Sequence, residues 1–297
     1  MEKELYKNRS VSACIKDGYV LFCSNIATIV RRNWLPILSL STIWGIQTAW
    51  NLQQMPHPNI TKGAAILSFL FAILLPCTMM WYTAATTDML NKNGRRRNLL
   101  RNARLMLFAL GIAVIVFLIG WGLQVLLPMT QVLEKTGEPI AIPRNIVITA
   151  TVYLLLFVCL LPFSYSSMKY IHEERAHFTS HVLAGYATGF RYIGFIVSVV
   201  FLVSIMMLIV VGLAGIPLMI LALSNQLTEA GLAAGDPSTL PAYFTALLYS
   251  VSILVGFILT ALVTIEIYIC YYIYGSIEAR RTDRNKRKQI QSETQNL

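Results

Sequence analysis

Glu266 is the one acidic residue within the apolar run from Thr260 to Tyr274. A carboxylate inside a bilayer is costly to place and marks a functional site by default: it can hold a proton or a cation, or pair with an arginine. Tyr268, Tyr271, Tyr272 and Tyr274 support a second reading. In that reading the aqueous interface begins just beyond Glu266, and its carboxylate pairs with a basic residue of an inner loop such as Arg101 or Arg191. Glu173, His177 and His181 share a helical face at four-residue spacing, with His172 and Glu174 nearby. Two histidines at i and i+4 can ligate a metal. The glutamate does not lie between them, so the zinc-protease pattern is missing, and the polar face of an interfacial helix accounts for all of them. Ser166-Ser167-Met168-Lys169 matches the Ser-x-x-Lys pattern of acyl-enzymes, without the partner motifs that chemistry needs. No Gly-rich phosphate loop or nucleophile elbow is present, and neither an enzyme nor a cofactor is expected.

These residues sit in a chain that is 56% hydrophobic and 13% charged, with mean hydropathy +0.61. Soluble domains carry about 25% charged residues. The expected solvent is therefore a bilayer, and the expected fold is all-α: a bundle of six transmembrane helices in three hairpins, with interfacial amphipathic lead-in helices. The spans fall at about 35–52, 63–90, 105–127, 145–170, 192–223 and 242–274, in a single transmembrane domain, 1–279, followed by a basic tail, 280–297. A lead-in helix is expected over 10–33, with Val11, Ile15, Phe22, Ile26 and Ile29 on its apolar stripe.

Lys92, Arg95, Arg96, Arg97, Arg101 and Arg104 lie between the second and third apolar runs. Such a cluster resists translocation and fixes the cytoplasmic side. Only Lys62, Lys135 and Arg144 of the 24 Lys and Arg residues fall in the expected outer loops. That asymmetry puts both termini in the cytoplasm and the protein in the cell membrane. It also explains the net charge of +10 without a nucleic-acid partner. Anionic lipid headgroups are the expected partners of the basic segments; no protein partner or oligomeric state is specified. No secretory signal peptide is expected. The five cysteines have no metal-type spacing and are expected as free, mostly buried thiols. Asn59-Ile60-Thr61 is a glycosylation acceptor only in a eukaryotic secretory pathway.

The hairpins echo one another. Pro76 and Pro162 each follow a Leu-Leu pair and precede small hydroxyl residues and aromatics, so those hydroxyls can cover carbonyls freed at each proline. Asp17-Gly18-Tyr19 and Ala184-Gly185-Tyr186 are a fainter echo. Ser252, Gly256, Thr260 and Thr264 make a small-residue face, suited to close helix packing or to lining a polar pathway. Gly212, Gly215 and Pro217 interrupt the fifth span, as a kink or as a broken helix exposing backbone.

On its layout and on lead-ins such as Lys16-Asp17-Gly18-Tyr19 through Arg31-Arg32-Asn33-Trp34, the chain resembles a group of bacterial six-span membrane proteins without assigned activity. These are similar to the membrane region that precedes some glycerophosphodiester phosphodiesterases. The resemblance covers roughly residues 10–280 and excludes the phosphodiesterase catalytic domain, so it carries over no catalytic residue. The functional expectation is transport or accommodation of a small or lipidic molecule. The alternative is a non-catalytic membrane scaffold or accessory subunit.

Overall fold

A computed structural model describes residues 5–54, 62–91, 93–126, 144–173, 177–236 and 239–295. Asn59-Ile60-Thr61, Lys92, Lys135 and Glu174 lie outside them, as does the side chain of Arg144. The described chain is helical, with no strand: α1 Val11–Gln54, α2 Lys62–Asn91, α3 Arg95–Leu126, α4 Arg144–Leu160, α5 Pro162–His172, α6 Phe178–Arg191, α7 Ile193–Ala233 and α8 Phe244–Gln295. Six helical stretches, with α4 and α5 counted as one, are long and apolar enough to cross a membrane.

Helix α1 starts where the Ser10 hydroxyl accepts the Ala13 N–H at 3.3 Å, a side-chain N-cap. It breaks at Asn33, whose φ of −117° and ψ of 20° separate the lead-in from the apolar segment. The two parts contact α8 antiparallel to it. Gly18 lies against Ile269, and Gly45 against Ile253. Those points are 27 residues apart on α1 but only 16 on α8, about 40 Å against about 24 Å of helix. The excess lies on the stretch of α1 that contains the break at Asn33. The lead-in is also more firmly docked than an interfacial helix resting in lipid. Cys14, Gly18, Leu21 and Ile29 form its buried face, while Ile26 of the expected apolar stripe is exposed.

Helices α2 and α3 are joined by a very short turn. Gly94, at φ +91°, takes a left-handed conformation open to glycine, and its carbonyl accepts the Asn98 N–H at 3.1 Å. The basic stretch is therefore the first turns of α3 rather than a loop. At Leu161 the backbone stays helical, so α4 and α5 meet as one rod around Pro162. Ser164 Oγ donates to the Leu161 carbonyl at 2.8 Å, and Tyr186 Oη to the Cys159 carbonyl at 2.9 Å. In α2, Thr78 Oγ1 lies 3.0 Å from the carbonyls of both Leu74 and Leu75. The hydroxyls beside both prolines thus serve backbone carbonyls.

The fainter echo has a packing meaning. Gly18 of the first lead-in admits α8, and Gly185 of α6 admits Ser166 of α5. Gly212, Gly215 and Pro217 do not break α7, which runs ten residues beyond the expected Leu223. Asn225 secures that extension by donating to the Leu52 carbonyl at 3.2 Å, and Gly235, at φ +89°, follows its last turn. Of the five free cysteines, Cys14 is buried, Cys270 half-buried, and Cys23, Cys77 and Cys159 exposed, contrary to mostly buried thiols.

Candidate functional site

Two cavities bear on function. The first, about 420 Å³, lies among α1, α2, α7 and α8. Leu40, Trp44, Leu75, Met79, Met207, Val211, Leu259 and Val263 make it apolar, and Glu266 stands in its lining. Glu266 is exposed on the helix surface and forms no ion pair among the described residues. The expected pairing with Arg101 or Arg191 is not formed. Arg101 is buried and donates from Nη1 to the Ile171 carbonyl at 2.8 Å, with its guanidinium 5.3 Å from the Tyr170 ring centre.

Glu266 reaches the cavity because α8 is anchored along a neighbouring face, whose Gly256 and Thr260 also border the space. The Ser252, Gly256, Thr260 and Thr264 face is buried against α1 and α2. Gly256 meets the Ser41 carbonyl, Ser41 Oγ and Thr260 Oγ1 are 2.9 Å apart, and Tyr82 Oη donates to the Thr260 carbonyl at 3.0 Å while touching Thr264 Oγ1. The small residues therefore bring the helices together. Leu259, Val263 and Glu266, on an adjoining face, are left to line the space.

The second cavity, about 750 Å³, lies at the arginine-bearing end and is lined by Leu5, Tyr6, Lys7, Leu90, Asn91, His172 and Tyr271. Its polar wall continues into a buried network that the sequence did not single out. Asn98 donates to Asp88 at 3.1 Å and to Asn91 at 2.9 Å. Arg32 reaches the other Asp88 oxygen at 3.1 Å. The Ile171 carbonyl, at the C-terminus of α5, accepts from Asn91, Asn93 and Arg101. Across this end, Glu278 accepts from Tyr165 Oη and from Lys169 Nζ at 3.2 Å. The available signal was the run of amide and acidic residues around the α2–α3 turn, Asp88, Asn91, Asn93, Asn98 and Asn102, read only for its charge.

The basic cluster expected to fix topology divides. Arg95, Arg96 and Arg97 are exposed, Arg104 is exposed with Nη1 3.4 Å from Tyr170 Oη, and Arg101 is a buried structural donor. Among the described residues no group of three His, Cys, Asp or Glu is placed to hold a metal. His181 Nε2 lies 3.2 Å from Glu173, and His181 Nδ1 accepts the His177 N–H at 3.1 Å, as befits a polar surface pairing. Ser166 Oγ is committed to the Val182 carbonyl at 2.6 Å, while Lys169 faces Glu278 and Glu173. The Ser-x-x-Lys match is thus packing. An apolar groove of about 520 Å³ also runs along α3, α5 and α6, past Phe108 and Phe163.

No protein-family model, curated protein or solved structure matches the chain.

Proposed function

We propose that the chain is a six-span protein of the cell membrane, built as three hairpins, with its termini and arginine cluster in the cytoplasm. Its bundle accommodates, and moves, a small or lipidic molecule in the space beside Glu266. The observation that carries this reading is the 420 Å³ cavity among four of the spanning-length helices, apolar but for Thr260 and one carboxylate. Its size falls in the range of small-molecule sites, and a single placed polar group in apolar walls is how such sites orient a ligand. Trp44, Met79 and Met207 are adaptable contact surfaces for an apolar body. The exposed arginines and the basic end of α8 fit the anionic leaflet, where headgroup contact holds the bundle in register.

The test starts from a variant stripped of its five cysteines. Val263→Cys, Val211→Cys and Met79→Cys should react with a water-soluble maleimide in intact membranes. Leu110→Cys and Leu118→Cys, on the exposed apolar side of α3, should stay protected. Protection of all five positions means a dry bundle. It favours the scaffold reading, for which the groove at Phe108 and Phe163 offers a surface to a partner helix.

A further inference from the structure

We infer that the molecule held beside Glu266 is a lipophilic cation; this rests on the reading of the cavity as a binding site and names its ligand class. Three observations carry it. Glu266 has no cationic partner among the described residues. The cavity lining contains no Lys, Arg or His. Its remaining wall is aliphatic, methionine and indole, apart from the Thr260 side chain, whose Oγ1 is already shared with Ser41 and the Gly256 carbonyl.

A carboxylate at membrane depth persists when protonated or when a positive charge is beside it. Three other carboxylates of the described residues have basic partners, at the arginine-bearing end: Asp88 with Arg32, Glu278 with Lys169, and Asp17 with Arg9. Glu266 is left facing a cavity instead. An occupant that brings a positive charge and an apolar body keeps the carboxylate ionised and fills the walls around it. A phospholipid headgroup does not meet this demand, because its phosphate would find no cation in the lining and would stand against the Glu266 carboxylate. An inorganic cation does not either, because a lone carboxylate among apolar side chains cannot replace a hydration shell. A hydrophobic ammonium or phosphonium ion, with its charge delocalised or shielded, meets both demands. The indole of Trp44 adds a favourable face for it.

The experiment compares two probes of the same shape and opposite charge, tetraphenylphosphonium and tetraphenylborate, binding to the full-length protein in detergent, with protein-free micelles subtracted. The wild type should hold the phosphonium at least about tenfold more tightly than the borate. Glu266→Gln should erase that preference while eluting as the same monodisperse peak, and Glu266→Asp should retain most of it. Val263→Trp, which fills the space, should abolish binding of both ions. If both probes bind alike and Glu266→Gln changes nothing, yet Val263→Trp blocks them, the cavity is a binding site and the cation assignment is wrong. If neither probe binds the wild type, or Val263→Trp leaves binding intact, the reading of the cavity itself falls with it.

Discussion

The arginine-bearing end of the bundle and the apolar stretches of α3, α4 and α7 are built by different rules. At the first, helices interlock through backbone-level contacts, buried amides and ion pairs. Tyr165 and Tyr170 are fully buried there. At the second, large side chains face outward: Leu107, Phe117, Leu154, Phe201, Leu208 and Leu213 are all more than half exposed. Lipid is as apolar as leucine, so burying one against another gains little inside a membrane. Structure is therefore held by polar and small residues where helices touch, and the apolar mass faces outward on helices long and apolar enough to cross a membrane. The difference predicts where substitution is tolerated.

Breaking the contact between α1 and α8 should have the largest effect. A Cβ on Gly45 would sit 2.6 Å from Ile253 Cα, and one on Gly256 2.6 Å from the Ser41 carbonyl oxygen. Neither neighbour is the flexible end of a side chain, so the helices would have to part. Gly45→Leu and Gly256→Leu should each cost at least about 3 kcal/mol. Fluorescence-detected size-exclusion chromatography should show loss of the monodisperse peak. A normal profile for either variant would mean that this interface does not hold the bundle together.

The amide network comes next. Asn98→Ala removes the donor to buried Asp88 and half-buried Asn91 and leaves each short of a partner. The expected loss is about 2 kcal/mol, read as a lower melting midpoint in the same detergent. Asn98→Asp should be worse than Ala, because it sets a second carboxylate against Asp88. The reverse order would show that volume at this position outweighs hydrogen bonding.

Glu278→Gln should follow, at about 1 kcal/mol. It removes the charge facing Lys169 but leaves an oxygen for Tyr165. Removal of both partners in Glu278→Gln with Lys169→Met should be less than additive, since the two lie in one contact.

These effects also mark what was legible in the sequence. The break at Asn33 was visible because Arg31-Arg32-Asn33-Trp34 ends an amphipathic pattern and starts an apolar one. The four-residue recurrence of Ser252, Gly256, Thr260 and Thr264 was visible because close packing needs small residues on one helical face. Glu266 was visible by its isolation, although its neighbour had to be found in space: the apolar walls of the cavity are drawn from four helices. The role of Arg101 was hidden for a related reason. Charge counting treats six basic residues as equivalent, whereas burial of Arg101 depends on the Ile171 carbonyl, 70 residues away. The broken-helix alternative for α7 is not met, and the run of α7 past Leu223 was hidden because Gly and Pro weaken a helix locally. Its continuation depends on a distant contact, Asn225 with Leu52.

The smallest predicted effect sharpens the contrast most. An added Cβ at Gly111, Gly212 or Gly215 meets nothing within 4 Å. Alanine favours the helical backbone over glycine, so relief of backbone entropy opposes any loss of lipid packing. Gly111→Ala, Gly212→Ala and Gly215→Ala should each stay within about 0.5 kcal/mol of wild type or raise its melting midpoint slightly. The same methyl group is thus nearly free on the outward stretches and disruptive at Gly45, where the neighbouring backbone stands in its path. A marked loss at Gly212 or Gly215 would reveal a surface of α7 that the isolated chain leaves uncovered. Crosslinking of Gly212→Cys in membranes would then show whether a second copy of the chain covers it.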